Sequence, residues 1–225
     1  MGQSGSTQNR EGQEKSRLVG NVKVTRQDWL NVAMDVLVSD GVEQVKVLDL
    51  GGRLGVSRSS FYWYFKSRQA LLDALLQHWQ DTNTAAIVAK AEQPAKTITE
   101  AVCHFFHCVI DERIFNNPLD FAVRDWARRS VKVRRMLDQS DETRVKALAA
   151  MFRRFDYPPN EAEIRARVLY FMQLGYDLAE LNEPTGDRLK QVPMYLYCFT
   201  GQTPQPDEIA DLEAYSLSAM QEEAK

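Results

Sequence analysis

Cysteine is scarce in this sequence, with three in 225 residues. So small and odd a number builds no disulfide scaffold and fits a reducing, cytoplasmic compartment. No stretch approaches the ~18 consecutive apolar residues of a membrane span, so no membrane partner is expected. The opening Met1-Gly2-Gln3-Ser4-Gly5 lacks the apolar segment of a cleaved secretory signal. The alternating pattern of strands is nearly absent. A nucleophile elbow, a phosphate-cradling glycine loop, a paired-histidine zinc motif and a Cys-x-x-Cys are all missing. No catalytic residue, cofactor or metal is assigned, and an enzyme is not expected.

What the chain does have is 44% hydrophobic and 26% charged residues, the profile of a soluble globular protein. The net charge of −3 does not by itself suggest a nucleic-acid partner. Its distribution is more informative: residues 1–80 hold 10 Lys and Arg against 8 Asp and Glu, and the remainder 18 against 23. The N-terminal third is therefore the part that suits a polyanion.

Residues 1–20, rich in Gly, Ser, Gln and charge, read as a disordered arm in which Arg10, Lys15 and Arg17 can brush a phosphate backbone. From Thr25 onward the periodicity is helical, and the predicted fold class is all-α. Thr25 caps a first helix with Leu30, Ala33, Met34 and Leu37 on one face, ended by Asp40-Gly41. A short helix over Lys46–Leu54 and a turn at Gly55 follow. Ser57 then caps a third helix over Arg58–Phe65, and Ser67 a fourth carrying Leu71, Leu72, Leu75 and Trp79. Pro94 breaks the next stretch and is taken as the division between two units. Helices are then expected over Thr97–Arg113, Pro118–Arg129, Val131–Phe155, Asn160–Leu181 and Asp187–Phe199, with a last amphipathic segment over Asp207–Glu223. The predicted domains are the arm (1–20), a first unit (21–80), a second unit (81–205) and a helical tail (206–225).

Residues 46–68 carry the functional signal. Two helices too short to stand alone, joined by a tight turn, have the spacing of a helix-turn-helix, whose second helix enters the major groove of DNA. Phe61 and Phe65, four apart, share a buried face; Ser59 and Trp63 point the other way. Arg58 has the donor fork that reads guanine. Ser57, Ser60, Tyr62 and Tyr64 offer hydroxyls to phosphate, and Lys66 and Arg68 lie at a helix N-terminus suited to a phosphate clamp.

The run from Gly41 through Leu50 and Leu54-Gly55-Val56-Ser57-Arg58-Ser59-Ser60-Phe61-Tyr62-Trp63-Tyr64-Phe65-Lys66-Ser67-Arg68 to Leu71-Leu72 closely resembles the DNA-binding domain of TetR-family transcriptional regulators. The resemblance covers about Thr25 to Gln80. It implies a dimeric, ligand-released repressor of an inverted-repeat operator. Arg58, Ser59, Trp63 and Tyr62 would then meet bases, and Ser57, Ser60, Tyr64 and Arg68 phosphates. The chain departs from the family at Val47 and Leu48, where a hydroxyl and a basic residue are usual and Lys46 stands in. It also has Gly51-Gly52 where alanine is common, implying a loose helix, and Arg68 where lysine is usual.

The second half resembles TetR ligand-binding and dimerisation domains more loosely, through Phe121–Arg128, Asp141–Arg144 and Ala162–Val168 running on to Gly175-Tyr176. That resemblance implies a dimeric four-helix bundle, here with Val168, Phe171, Met172, Gly175, Leu189, Val192, Leu196 and Phe199 on its apolar faces. The aromatic richness of the central helices suggests a pocket for an unidentified small apolar or aromatic effector among Phe105, Phe106, Phe121, Trp126, Phe152, Phe155, Tyr170 and Phe171. Cys103-His104-Phe105-Phe106-His107-Cys108 contains two Cys/His pairs four apart. The pairs point about one residue's rotation apart, so buried Cys and partly exposed His are expected. A metal- or thiol-responsive regulator using Cys103, His104, His107 and Cys108 is the alternative, as is a helical partner-binding protein without specific DNA readout.

Overall fold

The computed structural model describes residues 24–179, 181 and 183–223. The predicted arm, with Arg10, Lys15 and Arg17, lies outside them. Every regular element among the described residues is helical. No described helix is long and apolar enough to cross a membrane.

Helix α1 (Arg26–Asp40) begins with a reciprocal cap. The Thr25 hydroxyl accepts from the Asp28 N–H at 3.2 Å and the Asp28 carboxylate accepts from the Thr25 N–H at 2.7 Å. Gly41 ends it at φ +81°, a conformation that disfavours any residue with a Cβ. Helices α2 (Val47–Arg53) and α3 (Arg58–Phe61) are one to two turns long, and α4 (Arg68–Trp79) braces them. The predicted third helix continued to Phe65. After Phe61 the chain instead tightens, with the N–H groups of Tyr62, Trp63 and Tyr64 each donating three residues back. Ser57 occupies the N-cap position, but its hydroxyl pairs with that of Ser59 at 2.7 Å instead of capping α3. Ser67 does cap α4, accepting from the Ala70 N–H at 3.1 Å.

Helix α4 runs through a π-helical segment (Gln80–Thr84) into α5 (Ala85–Glu92). The fully buried Asn83 sits in that segment. Its amide donates to the Asn116 carbonyl at 2.8 Å and its side-chain oxygen accepts from the Asn116 N–H at 3.3 Å. There follow α6 (Ile98–Ile110), α7 (Asn117–Ala127), α8 (Val131–Arg153), α9 (Pro159–Leu178), α10 (Thr185–Thr200) and α11 (Pro206–Glu223). Helices α9 and α10 begin one and two residues earlier than expected, because proline and its neighbours are tolerated in a first turn, where N–H groups have no helical acceptor.

Pro94 does separate two helices, but the apolar cores divide elsewhere. Leu119, Val123 and Trp126 of α7, with Val133 and Leu137 of α8, pack into one cluster with Trp29, Leu37, Phe61, Leu72 and Leu75. Three or four short helices cannot enclose a core alone, so α7 serves as their floor. The second cluster joins α5, α6, α8, α9, α10 and α11. The segment predicted as a tail is part of it: α11 buries Leu212, Ser216 and Ala219, and Glu208 accepts hydrogen bonds from the hydroxyls of Thr97 and Thr99.

Candidate functional site

The apolar underside of α3 fixes what its outer side presents. Phe61 and Phe65 are buried, their rings stacked at 5.5 Å, and Trp29 of α1 meets Phe61 edge-on at 5.2 Å. The guanidinium of Arg26 covers Phe65 at 4.8 Å. With those two rings anchored, the intervening aromatics are turned outward: Trp63 is 86% exposed and Tyr62 50%. Arg58 donates to the Tyr62 hydroxyl at 3.0 Å and lies over its ring, so the two form one polar-aromatic blade. Ser59, Ser57, Lys46 and Lys66 are exposed beside them and Ser60 is half-buried.

Two expected phosphate contacts are engaged inside the protein. The Tyr64 hydroxyl donates to the Val24 carbonyl at 2.6 Å, fixing the chain ahead of α1. Arg68 donates through Nε to the Val45 carbonyl at 2.6 Å and through Nη2 to that of Val42 at 2.5 Å. It spans the 3₁₀ turn Val42–Gln44, meeting the Val45 carbonyl just beyond it and the Val42 carbonyl that also accepts from the Val45 N–H at 3.2 Å, and so acts first as a splint between α1 and α4. Lysine has no planar fork to span two carbonyls.

The Gly51-Gly52 pair divides in role. A Cβ on Gly51 would stand 3.1 Å from the Val56 carbonyl and 3.5 Å from the Trp29 ring, so glycine there lets α2 close on the turn. Gly52 has nothing within 4 Å, and the structure shows no use for it. Leu48, 71% exposed, stands beside Lys46 on the rim facing Arg58 and Lys66.

A buried polar network joins the helix-turn-helix unit to the second half. The Trp79 indole N–H donates to Asp120 at 2.8 Å, and Arg144, wholly buried, lies 2.9 Å from the same carboxylate. Arg124 bridges Asp120 and Asp141 and donates to the Tyr170 hydroxyl at 2.8 Å. Arg144 also donates to that hydroxyl at 3.0 Å. Burial works to raise the Asp120 carboxyl, but the charges of Arg144 and Arg124 prevail and hold it below the usual range. Sequence reading missed this network. Its signal was legible in Arg144, a charge on the stripe Val133, Leu137, Ser140 and Leu148.

The predicted effector aromatics do not share one cavity. A cavity of about 270 Å³ lies between α6, α9, α10 and α11, and of that set only Phe106 lines it, with Val192, Leu212 and Met172 as other walls. Phe105, Phe121 and Tyr170 meet instead at a small void of about 30 Å³ beside Asp120 and Arg144. Trp126 packs under α1 and α4, Phe152 and Phe155 belong to the second core, and Phe171 is exposed. Aromatics at helical spacing serve packing unless the backbone leaves room beside them.

The expected dimer faces divide too. Val168, Phe171 and Gly175 are exposed on α9, in one stripe with Ile164 (60% exposed) and Leu178 (69%), while Met194 and Tyr197 are exposed on α10. Leu196 and Phe199 point inward and are buried, and Met172, Leu189 and Val192 line the large cavity. The apolar side of α10 that a sequence period picks out is its side toward its own core.

The Cys/His cluster is not a metal centre. No group of His, Cys, Asp and Glu among the described residues is arranged to hold an ion. Burial pushes the Cys103 and Cys108 thiols up to about 12, keeping both protonated and poor ligands. His107 stacks on Tyr215 at 3.8 Å, and burial, reinforced by Lys90, pushes it down to about 4. Helical spacing placed Cys and His on adjacent faces, and the core took the cysteines.

Fold and site together define a helical protein with a helix-turn-helix at one end and a second apolar core, sharing α8 with the first, at the other. Residues 30–75 match the family model described as bacterial regulatory proteins, tetR family. Tetracycline repressor protein class C of Escherichia coli is 38% identical over 55 residues, 24% of this chain and 25% of that protein. The nucleoid occlusion factor SlmA of Haemophilus influenzae (strain PittGG) is 32% identical over 78 residues, 34% of this chain and 36% of that protein. These matches thus span only a quarter to about a third of those relatives' length. Over most of the chain the fold is similar to that of the ketosteroid transcriptional regulator KstR2 of Mycobacterium tuberculosis. The TM-score is 0.58 and the identity 17%, over 84% of this chain and all of that one. A transcriptional regulator of Aquifex aeolicus VF5 is similar at TM-score 0.56 and 18% identity, over 79% and 96% of the two chains. Over residues 30–75, the helix-turn-helix is thus similar to that of the tetR family of bacterial regulatory proteins.

Proposed function

We propose that this protein is a non-enzymatic, sequence-specific DNA-binding regulator, a repressor that holds an inverted-repeat operator as a homodimer and leaves it on binding a small effector. The observation that carries the reading is the outward blade of Arg58, Tyr62 and Trp63. An 86%-exposed tryptophan beside a guanidinium, on a turn whose other two rings are locked in the core, suits thymine methyls and guanine edges. Lys46 and Lys66 flank it for phosphate. The apolar stripe Ile164, Val168, Phe171 and Leu178, with Gly175 at its centre, supports pairing with a second copy.

Two recognition elements in such a dimer would stand about 34–36 Å apart, one duplex turn. An effector that favours another spacing shifts the population off DNA by no more than its differential affinity. The π-helical segment between α4 and α5 supports a hinge there, as π segments often mark functional bends. The two alternatives, metal or thiol response and nonspecific helical partnering, gain no support from the Cys/His geometry or from the exposed blade.

The test is selection from a random duplex pool at near-physiological salt. Enrichment of an inverted repeat is expected. A folded protein that enriches nothing, or only a single half-site, overturns the dimeric regulator.

A further inference from the structure

The large cavity has one end unlike the rest. Phe106, Ile110, Val192 and Leu212 give it apolar walls, whereas two charged residues, Glu183 and Arg188, also line it. The Arg188 guanidinium lies over the Tyr176 ring at 4.9 Å. Among the described residues no carboxylate comes within 4.0 Å of it and no acceptor meets its N–H groups. The neighbouring acids take their hydrogen bonds from other donors: Glu183 accepts from the Tyr176 hydroxyl at 2.5 Å and Asp177 from the Gln173 amide at 2.8 Å, the Arg188 charge acting on Asp177 without a hydrogen bond. A ring face satisfies one side of a guanidinium but none of its in-plane donors, and that planar fork matches a carboxylate.

We propose that this cavity binds an amphiphilic monocarboxylate, its apolar body between α6, α10 and α11 and its carboxylate on Arg188. The inference rests on the reading of the second half as an effector-binding unit, and names the effector's class. A volume of about 270 Å³ suits one unbranched or singly ringed apolar body and no more. A cationic head group is disfavoured, because the Tyr176 face is already covered by Arg188 and the Glu183 carboxylate already accepts from the Tyr176 hydroxyl. The C-terminal helix α11 supplies Leu212 and Ser216 to the wall, so a ligand here would tie α11 to α10, on the side of α9 and α10 away from the exposed stripe.

The test titrates the full chain, without DNA, by calorimetry with three probes of equal chain length below their micelle concentrations: decanoate, decanol and decyltrimethylammonium. Decanoate is expected to bind at least about tenfold more tightly than either other probe. Arg188→Gln should remove that preference while leaving decanol within about twofold of its parent affinity. Val192→Trp should weaken all three, and Arg188→Lys, which keeps the charge, should retain part of the preference if the tryptophan variant does not fold. Equal affinities, a preference for the alcohol or the ammonium, no binding of any probe, or a decanoate preference that survives Arg188→Gln would overturn the proposal. Because no DNA is present, the two readings fail separately. A chain that binds decanoate but selects no duplex keeps this inference and loses the regulator, and one that selects an operator but ignores decanoate does the reverse.

Discussion

Trp79, the last residue of α4, donates its indole N–H to the carboxylate of Asp120 on α7 at 2.8 Å, joining the helix-turn-helix unit to the helix that floors it. The same carboxylate neutralises Arg144, which also lies over the Trp79 ring at 5.0 Å. One acid therefore holds both the end of the helix-turn-helix unit and a buried guanidinium.

Asp120→Asn should destabilise the protein by about 3–5 kcal/mol, because it strands a buried positive charge. Trp79→Phe keeps a ring beneath Arg144 and removes only one hydrogen bond, for about 1 kcal/mol. Urea unfolding at neutral pH measures both. Equal losses would mean that the ion pair contributes nothing beyond the indole contact.

Stability should fall with acid through the titration of His107. Its folded value, about 4, lies below its ordinary 6.5, burial being the first cause and Lys90 the next. The unfolded chain therefore binds the extra proton first, and this contribution is complete above pH 6.5 and is lost as pH falls toward 4. Asp177 works in the opposite sense. Burial raises it to about 6, so its contribution is present below its ordinary 3.8 and is lost as pH rises through 6. His107→Phe, which preserves stacking on Tyr215, should flatten the acid loss, and Asp177→Asn should steepen it. Unfolding free energies at pH 4.5, 5.5 and 7 read both slopes.

The glycines of the helix-turn-helix should separate cleanly. Gly52→Ala meets open space in a helix interior and should raise stability by about 0.5–1 kcal/mol. Gly55→Ala forces a Cβ into a left-handed turn at φ +66° and should lower it by about 1–2 kcal/mol. Thermal melts of the two variants should therefore move in opposite directions.

Arg58 and Arg68, ten residues apart, should fail differently. Arg58→Ala should leave the melting temperature near its parent value and cost about 1–3 kcal/mol of discrimination at one operator position. Arg68→Ala orphans the Val45 carbonyl, removes one of the two donors to that of Val42, and should cost about 1–3 kcal/mol of fold stability, with weaker DNA binding following from the loosened helix-turn-helix. Binding to specific and random duplexes, beside a melt of each variant, distinguishes them. An Arg68→Ala protein as stable as its parent would return Arg68 to phosphate contact alone.

The sequence by itself determined the all-helical class, the caps at Thr25 and Ser67 and the outward placement of Trp63. Each is set by neighbours within about one helical turn, where spacing alone decides which face a side chain takes. Phe61 and Phe65 could be paired, and Trp63 sent outward, without knowing anything else in the chain. Only the tertiary structure decided what lies between distant helices. Leu196 and Phe199 share an apolar side of α10 that suits a partner or a core equally well, and the approach of α6 and α11 makes it core. The cavity formed where α6, α9, α10 and α11 fail to close, not where aromatics are densest, since a void depends on backbone separation and not on composition. Arg68 looked like a phosphate clamp until the carbonyls of Val42 and Val45, more than twenty positions earlier, took its donors. Long-range hydrogen-bond accounting of this kind is set by the fold, because a buried polar group pairs with whatever the packing brings to it.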